Sequence, residues 1–277
     1  MANILIYEKL PSILEEKLIE NSHQIIKFSS LSEIKRDCKI DAAIISLTQK
    51  MTKDVFQSVP NLLALATYSV GFDHIDLEEA KKRNISVFHT PDVLTDACAE
   101  MTLALALTLT RQVPEAHIYT THGNYKGWSP DLFVGPGLNQ MTVGIFGLGR
   151  IGLASAKKFE ALGAKIIYSG PHKKCNSYEH VSFDELLKRS DILTLHAPLN
   201  KKTKRIINLK SLEKMKNDSF LINTSRGGLV ETDALCEALK KKKIRAAAID
   251  VTDPEPLSQN HPLLKLKNII VTPHIAS

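Results

Sequence analysis

The chain has 277 residues, of which 43% are hydrophobic and 24% are charged, and its formal net charge is +6 at pH 7. This length suits one large or two ordinary domains, and the balance is that of a globular protein rather than a disordered or fibrous chain. The longest strongly apolar stretch, residues 101–110, is far shorter than the roughly 20 residues of a membrane helix, so we expect no membrane partner.

Much of the positive charge lies in two lysine-rich runs, residues 200–205 and 239–244. Neither run is interleaved with aromatic residues, and the second ends a predicted helix, where cations suit the helix dipole. We therefore expect a solvated basic surface and no nucleic-acid partner. The four cysteines lack the spacing of a metal site, and the first residues read as a strand rather than a signal peptide. This pattern predicts a cytoplasmic protein without a metal.

In the first 93 residues, short apolar runs alternate with segments that have the charge spacing of surface helices. Strands are predicted at residues 3–7, 24–28, 42–47, 62–69 and 85–90, and helices at residues 12–20, 32–37 and 77–83. This alternation predicts a parallel sheet with helices on both faces.

A long helix is predicted from about residue 96 to residue 112. The stretch that follows, about residues 112–139, has little periodicity, is rich in glycine and contains the only tryptophan, Trp128. We interpret this stretch as a hinge or an arm rather than as core. The domain boundary is placed after residue 95, which gives two α/β domains, residues 1–95 and 96–277.

The alternation resumes after the arm and predicts a second parallel sheet. Ser182 and Glu185 have the spacing of a capping box, which indicates the start of a helix. Strands are predicted at residues 141–147, 165–170, 192–198, 220–225, 246–251 and 268–273, and helices at residues 150–163, 182–190 and 233–242. The predicted fold class is α/β, with two doubly wound parallel-sheet domains.

A glycine-rich motif, VGIFGLGRIG at residues 143–152, joins a predicted strand to a predicted helix. Gly147, Gly149 and Gly152 have the spacing GxGxxG. The first glycine permits a tight turn, the second lets the backbone approach a pyrophosphate, and the third lets helix and strand pack closely. In this position the motif predicts a dinucleotide-binding site rather than a structural turn alone.

The residues that would contact the adenosine ribose lie at the end of the next predicted strand and just after it. Positions 168–174 contain no Asp or Glu, but do contain Ser169, Lys173 and Lys174. A hydroxyl and cations suit the 2′-phosphate of NADP(H) better than the free hydroxyl of NAD(H). We therefore favour NADP(H) as the cofactor; NAD(H) is the alternative if the lysines only solvate a loop.

Asp250 lies at the end of a predicted strand, and Arg226, Glu255 and His274 follow predicted strands, where open α/β sheets bind their ligands. An arginine can clamp a carboxylate with two hydrogen bonds and polarise the neighbouring carbonyl. A histidine can donate a proton as hydride arrives, and an adjacent carboxylate keeps it protonated and oriented. The set predicts reduction of a 2-keto acid. Singly, the arginine could instead form a surface ion pair and the histidine could be a bystander.

Several motifs together resemble the D-2-hydroxyacid dehydrogenase family, most closely its glyoxylate/hydroxypyruvate reductase branch. They are SVGFDHID, TPDVLTDACAE, TVGIFGLGRIG, INTSRGGLV, DVTDPEPL and NHPLLKLKNIIVTPHIAS. The resemblance runs from about residue 60 to the last residue, and the first 60 residues match only in domain type. It implies a flavodoxin-like substrate domain (1–95), a Rossmann cofactor domain (96–277), and an active site in the cleft between them.

The resemblance also implies roles for individual residues. Arg226 matches the substrate-clamping arginine, Glu255 the acid that supports the histidine, and His274 the general acid/base. Val70 and Gly71 match a turn whose backbone amides hold the substrate carboxylate. Matches to cofactor contacts are Gly149, Arg150 and Ile151 at the pyrophosphate, and Pro198, Thr224 and Asp250 on the nicotinamide side.

Two further implications concern cofactor choice and assembly. Pro171 stands where this branch has an arginine for the NADP phosphate, which leaves the phosphate to Ser169, Lys173 or Lys174. Trp128 matches a tryptophan that such reductases insert into the active site of a neighbouring subunit. The resemblance thus implies a homodimer with residues 112–139 as the dimerisation arm, whereas composition alone predicts a packed tryptophan.

The leading hypothesis is an NAD(P)H-dependent reductase that converts glyoxylate to glycolate and hydroxypyruvate to D-glycerate. A dehydrogenase for another D-2-hydroxy acid is one alternative, and a dinucleotide-sensing interaction protein is another. Family members usually continue beyond the histidine with a helix that returns to the first domain. We therefore expect reduced stability or activity relative to a full-length relative.

Overall fold

The computed structural model describes residues 1–34 and 39–277 and divides into two compact units, Met1–Val93 and Leu94–Ser277. Half of the helix predicted over residues 32–37, residues 35–37, lies outside the described residues, and so does Cys38. The part of it that is described lies in a 3-10 turn, Leu31–Glu33, rather than in an α-helix.

The first unit is built on a five-stranded parallel sheet with the strand order β2-β1-β3-β4-β5, which is the flavodoxin-like order. The strands are β1 (Asn3–Tyr7), β2 (Gln24–Phe28), β3 (Ala42–Ile45), β4 (Ala64–Thr67) and β5 (Ser86–Phe88), and the helices are α1 (Ser12–Glu20), α2 (Lys53–Ser58) and α3 (Leu77–Lys82). The predicted strands are all present, and the short helix α2 is an addition. Its residue Phe56 is fully buried in the core with Ile45 and Leu65.

The second unit contains a seven-stranded parallel sheet with the order β12-β11-β10-β9-β6-β7-β8. Its strands are β6 (Thr142–Phe146), β7 (Lys165–Ser169), β8 (Glu179–His180), β9 (Ile192–Leu195), β10 (Phe220–Asn223), β11 (Ala246–Ile249) and β12 (Ile269–Val271). The order reverses between β6 and β9, so the glycine motif after β6 lies at the switch point, where dinucleotides bind in Rossmann folds. The predicted α/β class is confirmed.

Helices cover both faces of this sheet, which explains why its central strands are buried along their whole length. Alternate residues face different core clusters: Phe220 and Ile222 face one side of the sheet and Leu221 the other. The helices are α4 (Thr95–Thr110), α5 (Val113–Thr121), α6 (Arg150–Ala161), α7 (Phe183–Arg189), α8 (Leu209–Leu212) and α9 (Thr232–Lys240). The capping box predicted at Ser182 and Glu185 is confirmed at the start of α7.

The arm predicted over residues 112–139 is partly helical: it contains α5, which its low periodicity did not predict. The long helix α4 ends at Thr110, and Gln112 adopts a left-handed backbone (φ 51°) that separates α4 from α5. Pro114 lies in the first turn of α5, where its missing amide hydrogen costs nothing. Nothing in α5 is buried, so the segment has no apolar stripe from which periodicity could be read.

Among the described residues, none of the helices combines the length and apolar character required to cross a bilayer.

Candidate active site

The glycine motif forms a tight connection between β6 and α6. Gly147 has a left-handed φ of 95°, and a Cβ there would lie 2.8 Å from the amide nitrogen of Ala197. A Cβ on Gly152 would lie 2.2 Å from the carbonyl oxygen of Gly147, whereas one on Gly149 would meet nothing within 4 Å in the described structure. Crowding at the first and third glycines and open space at the second fit a pyrophosphate approaching the N-terminus of α6.

Arg150 and Ile151 begin α6 directly after Gly149, which is the N-cap residue. Gly149 has no side chain with which to cap this helix end. The amides of the first turn of a helix have no partner within the helix, so this end can receive an anion.

The segment that follows β7 carries the residues predicted to read the ribose. Ser169 is buried at the end of the strand, and its carbonyl accepts a hydrogen bond from the amide of Gly147 at 2.9 Å. Lys173 and Lys174 are exposed in the connection that follows. This structure holds the strand end against the glycine motif and leaves both ammonium groups accessible.

His274 and Glu255 form the closest polar pair among the predicted catalytic residues. The imidazole Nδ1 of His274 lies 2.5 Å from Oε1 of Glu255. Burial raises the pKa of the Glu255 carboxyl, but the hydrogen bond and charge of His274 and the amide of Thr252 outweigh it, so the pKa is lowered overall. Glu255 is thus ionised at neutral pH and can stabilise a protonated imidazole.

Arg226 lies between β10 and a 3-10 turn, Gly227–Leu229. The fully buried Asn223 holds this connection by donating to the carbonyl of Arg226 at 2.9 Å and accepting from the amide of Ser225 at 3.1 Å. A Cβ on Gly227 would lie 1.9 Å from the carbonyl oxygen of Thr252, so the arginine turn packs directly on the segment that leads to Glu255. The charge of Arg226 contributes to the lowered pKa of Glu255.

The other predicted nicotinamide contacts differ in their surroundings. Pro198 is exposed after β9, and the hydroxyl of Thr224 lies 2.9 Å from that of Thr102 in α4. Asp250 is 1% exposed, and its carboxylate accepts hydrogen bonds from other residues of the chain. It accepts hydrogen bonds from the Thr272 hydroxyl at 2.5 Å, the Ile275 amide at 2.9 Å and the Ala276 amide at 2.8 Å. This link from Asp250 to the segment around His274 was not predicted from the sequence.

A second histidine, His196, follows β9 beside the glycine motif and was not singled out from the sequence. Burial lowers its pKa to about 4, so the imidazole is neutral at physiological pH. Its Nε2 lies 3.0 Å from the hydroxyl of Thr194. In the part of the chain that the structure describes, no carboxylate contacts this neutral imidazole, so it is a poor proton donor, which favours His274 for that role.

Val70 and Gly71 belong to the first unit and form the turn after β4. The hydroxyl of Ser69 donates to the carbonyl of Gly71 at 2.7 Å, and the Nδ1 of His89 lies 3.1 Å from the carbonyl of Val70. Trp128, in the second unit, is 81% exposed and therefore not the packed residue that composition predicted.

Comparison with known proteins agrees with this geometry. Residues 103–276 match the model of the family described as D-isomer specific 2-hydroxyacid dehydrogenase, NAD binding domain. A glyoxylate reductase of Thermofilum pendens is 46% identical over 244 residues, which cover 86% of this chain and 72% of that protein. The chain belongs to this family.

Other members of the D-2-hydroxyacid dehydrogenase family are also similar to this chain. The human glyoxylate reductase/hydroxypyruvate reductase is 44% identical over 223 residues, covering 78% of this chain and 68% of the human protein. The crystal structure of an NADPH-dependent glyoxylate/hydroxypyruvate reductase from Sinorhizobium meliloti, in complex with NADP and malonate, has a TM-score of 0.91 and 30% identity. That match covers 100% of this chain and 87% of the other. The chain is therefore an oxidoreductase that uses a nicotinamide dinucleotide.

Proposed function

We propose that this dehydrogenase reduces glyoxylate to glycolate and hydroxypyruvate to D-glycerate, with NADPH as the preferred donor. The observation that carries the proposal is the 2.5 Å contact between His274 and Glu255. His274 follows the carboxyl end of β12, and the glycine motif follows the carboxyl end of β6 in the same sheet. The similarity to a glyoxylate reductase and to a glyoxylate reductase/hydroxypyruvate reductase supports the choice of substrates. Other D-2-hydroxy acids are the alternative substrates.

Each of the three proposed catalytic residues has a distinct task. Arg226 binds the substrate carboxylate through its guanidinium and withdraws electron density from the adjacent carbonyl. When bound, the reduced nicotinamide supplies a hydride to the carbonyl carbon. His274 gives the proton from Nε2 to the carbonyl oxygen, while Glu255 holds Nδ1 and stabilises the protonated ring. The carbonyl thereby gains one hydride and one proton and becomes the hydroxyl of the product. Binding of the substrate carboxylate by the backbone amides of Val70 and Gly71 stays a prediction.

We propose that the cofactor is held by Gly147, Gly149, Arg150, Ile151 and Gly152 at its pyrophosphate. Pro198, Thr224 and Asp250 are proposed to line the nicotinamide side. The preference for NADP(H) is attributed to Ser169, Lys173 and Lys174, which replace the acid that would bind a free ribose hydroxyl. Because Ser169 is buried, the two exposed lysines supply most of the attraction for a 2′-phosphate.

A homodimer is proposed through residues 112–139. Large apolar side chains are exposed along this segment, including Ile118, Tyr125, Trp128 and Val134. Exposed apolar surface of this kind is typical of an interface with another protein. The cytoplasm is the proposed location, because the cysteines Cys98, Cys175 and Cys236 are free thiols.

Steady-state oxidation of NADPH and of NADH, measured with glyoxylate, hydroxypyruvate and pyruvate, tests the proposal. Glyoxylate and hydroxypyruvate with NADPH should give the highest kcat/KM. Arg226→Gln should raise the KM for the keto acid and lower kcat, whereas Arg245→Gln, an exposed arginine that precedes β11, should change neither. Absence of turnover with every keto acid would refute the enzyme assignment.

A further inference from the structure

The buried tyrosine of β7, Tyr168, makes polar contacts that the proposed reaction does not use. Its side chain is completely buried, yet its hydroxyl accepts hydrogen bonds from the amide of Lys174 at 2.8 Å and that of Cys175 at 3.3 Å. The same hydroxyl donates to the carbonyl of Cys175 at 3.4 Å. One side-chain oxygen therefore fixes the backbone of two consecutive residues in the segment between β7 and β8, residues 170–178. This segment has no regular secondary structure.

The rest of this segment is attached at its two ends. At the start, the Nε2 of His180 lies 3.1 Å from the carbonyl of Gly170, and the ring of His180 packs 5.0 Å from that of Tyr168. At the far end, the hydroxyl of Tyr178 donates to Glu160 of α6 at 2.8 Å. Between these attachments, the Tyr168 hydroxyl holds the backbone of Lys174 and Cys175, directly after Lys173.

The lysine side chains themselves are not restrained by other charges. Neither Lys173 nor Lys174 forms an ion pair with a described residue, and both are exposed. Long cationic side chains lose considerable rotamer freedom when they bind an anion, and the loss is smaller when their backbone is already fixed. Since Pro171 supplies no cation, placement of these two lysines determines how well the segment can bind a phosphate.

We propose that Tyr168 is a specificity-determining positioning residue, whose buried hydroxyl holds Lys173 and Lys174 where the 2′-phosphate of NADPH binds. This inference rests on the proposed NADPH preference. It adds a residue that touches neither cofactor nor substrate and acts through the backbone of the lysine segment.

Direct binding of NADPH and of NADH, measured by calorimetry without a keto acid, tests the inference. Tyr168→Phe keeps the buried ring and removes only the hydroxyl, so NADPH affinity should fall on the order of tenfold, while NADH affinity changes less than about twofold. Tyr178→Phe is the matched control, because it removes a different hydroxyl from the same segment and should leave both affinities unchanged. Retained NADH binding shows that the Tyr168→Phe chain is folded.

A double-mutant cycle tests whether the tyrosine acts through the lysines. In a chain carrying Lys173→Met and Lys174→Met, the added Tyr168→Phe substitution should lower NADPH affinity no further. Unchanged NADPH affinity in Tyr168→Phe, an equal loss for both cofactors, or the same selective loss in Tyr178→Phe would each overturn the inference. If the unmodified chain binds NADH as tightly as NADPH, the proposed preference itself fails, and that result is visible before any variant is made.

Discussion

The imidazole of His274 and the carboxylate of Glu255 lie 2.5 Å apart, although 19 residues separate them in the chain. Replacing Glu255 with Gln keeps the size of the side chain but removes the negative charge. The protonated imidazole then loses the anion that stabilises it, so kcat should fall on the order of tenfold to a hundredfold. The upper pH limit of activity should also move to lower pH. A pH profile of kcat with saturating cofactor measures both effects; an unaltered profile would remove Glu255 from the mechanism.

The lowered pKa of Glu255 also predicts that the stability of the fold depends on pH. Its pKa is lowered in the folded protein, so the folded state holds fewer protons than the unfolded state at acid pH. The contact with His274 therefore stabilises the fold above the ordinary pKa of a glutamate, and this contribution disappears as pH falls through the lower, folded value. Urea unfolding at several pH values should show a steeper acid loss for the unmodified chain than for Glu255→Gln. Parallel curves would contradict this.

Asp250 should contribute to both stability and turnover, because its buried carboxylate holds the segment around His274. That histidine has a left-handed backbone (φ 57°), and its amide donates to the carbonyl of Asp250 at 2.9 Å. Asp250→Ala leaves the hydroxyl of Thr272 and two amides without an acceptor, which should cost roughly 3 kcal/mol of unfolding free energy. Displacement of the imidazole should lower kcat on the order of a hundredfold.

Asp250→Asn is the matched variant, since it retains an oxygen that can accept part of these hydrogen bonds. It should unfold between the unmodified chain and Asp250→Ala in denaturant titrations. If both variants keep full stability and turnover, Asp250 does not position His274.

The sequence predicted most of the sheet architecture because apolar runs and glycine spacing are local signals. Strands such as β4, predicted as residues 62–69 and observed as Ala64–Thr67, came out too long because the flanking residues are also apolar. Arg226, Glu255 and His274 were singled out at the ends of predicted strands, and the motif resemblance then implied their catalytic roles, which stay predictions. Contacts of Asp250 with residues 22 to 26 positions away, and of the Tyr168 hydroxyl with a later loop, were not predictable. An aspartate after a strand and a tyrosine within one have ordinary local explanations, and only the folded chain shows their partners.

Substitutions in the glycine motif should separate effects on the stability of the fold from effects on cofactor binding. Gly147→Ala introduces a Cβ at a left-handed φ and 2.8 Å from backbone, so it should lower the unfolding free energy by about 2 kcal/mol or more. Gly149→Ala meets open space at an ordinary φ of −82°, so the fold should keep its stability. Its added methyl group would occupy the space proposed for the pyrophosphate and should weaken dinucleotide binding. Thermal unfolding and calorimetry with NADPH measure the two effects; equal stability of both variants would contradict the crowding at Gly147.

His196 and His274 should respond differently to replacement by glutamine. His274→Gln removes the proposed proton donor and should lower kcat by about a hundredfold or more. His196→Gln should keep the shape of the pH profile of kcat, because burial already lowers the pKa of His196 to about 4 and keeps the ring neutral. The unfolded state binds a proton at this histidine below about pH 6.5, so the unmodified chain should lose stability as pH falls from there towards 4. His196→Gln should lose less over that range. A pH profile abolished in His196→Gln but intact in His274→Gln would reverse the assignment of the proton donor.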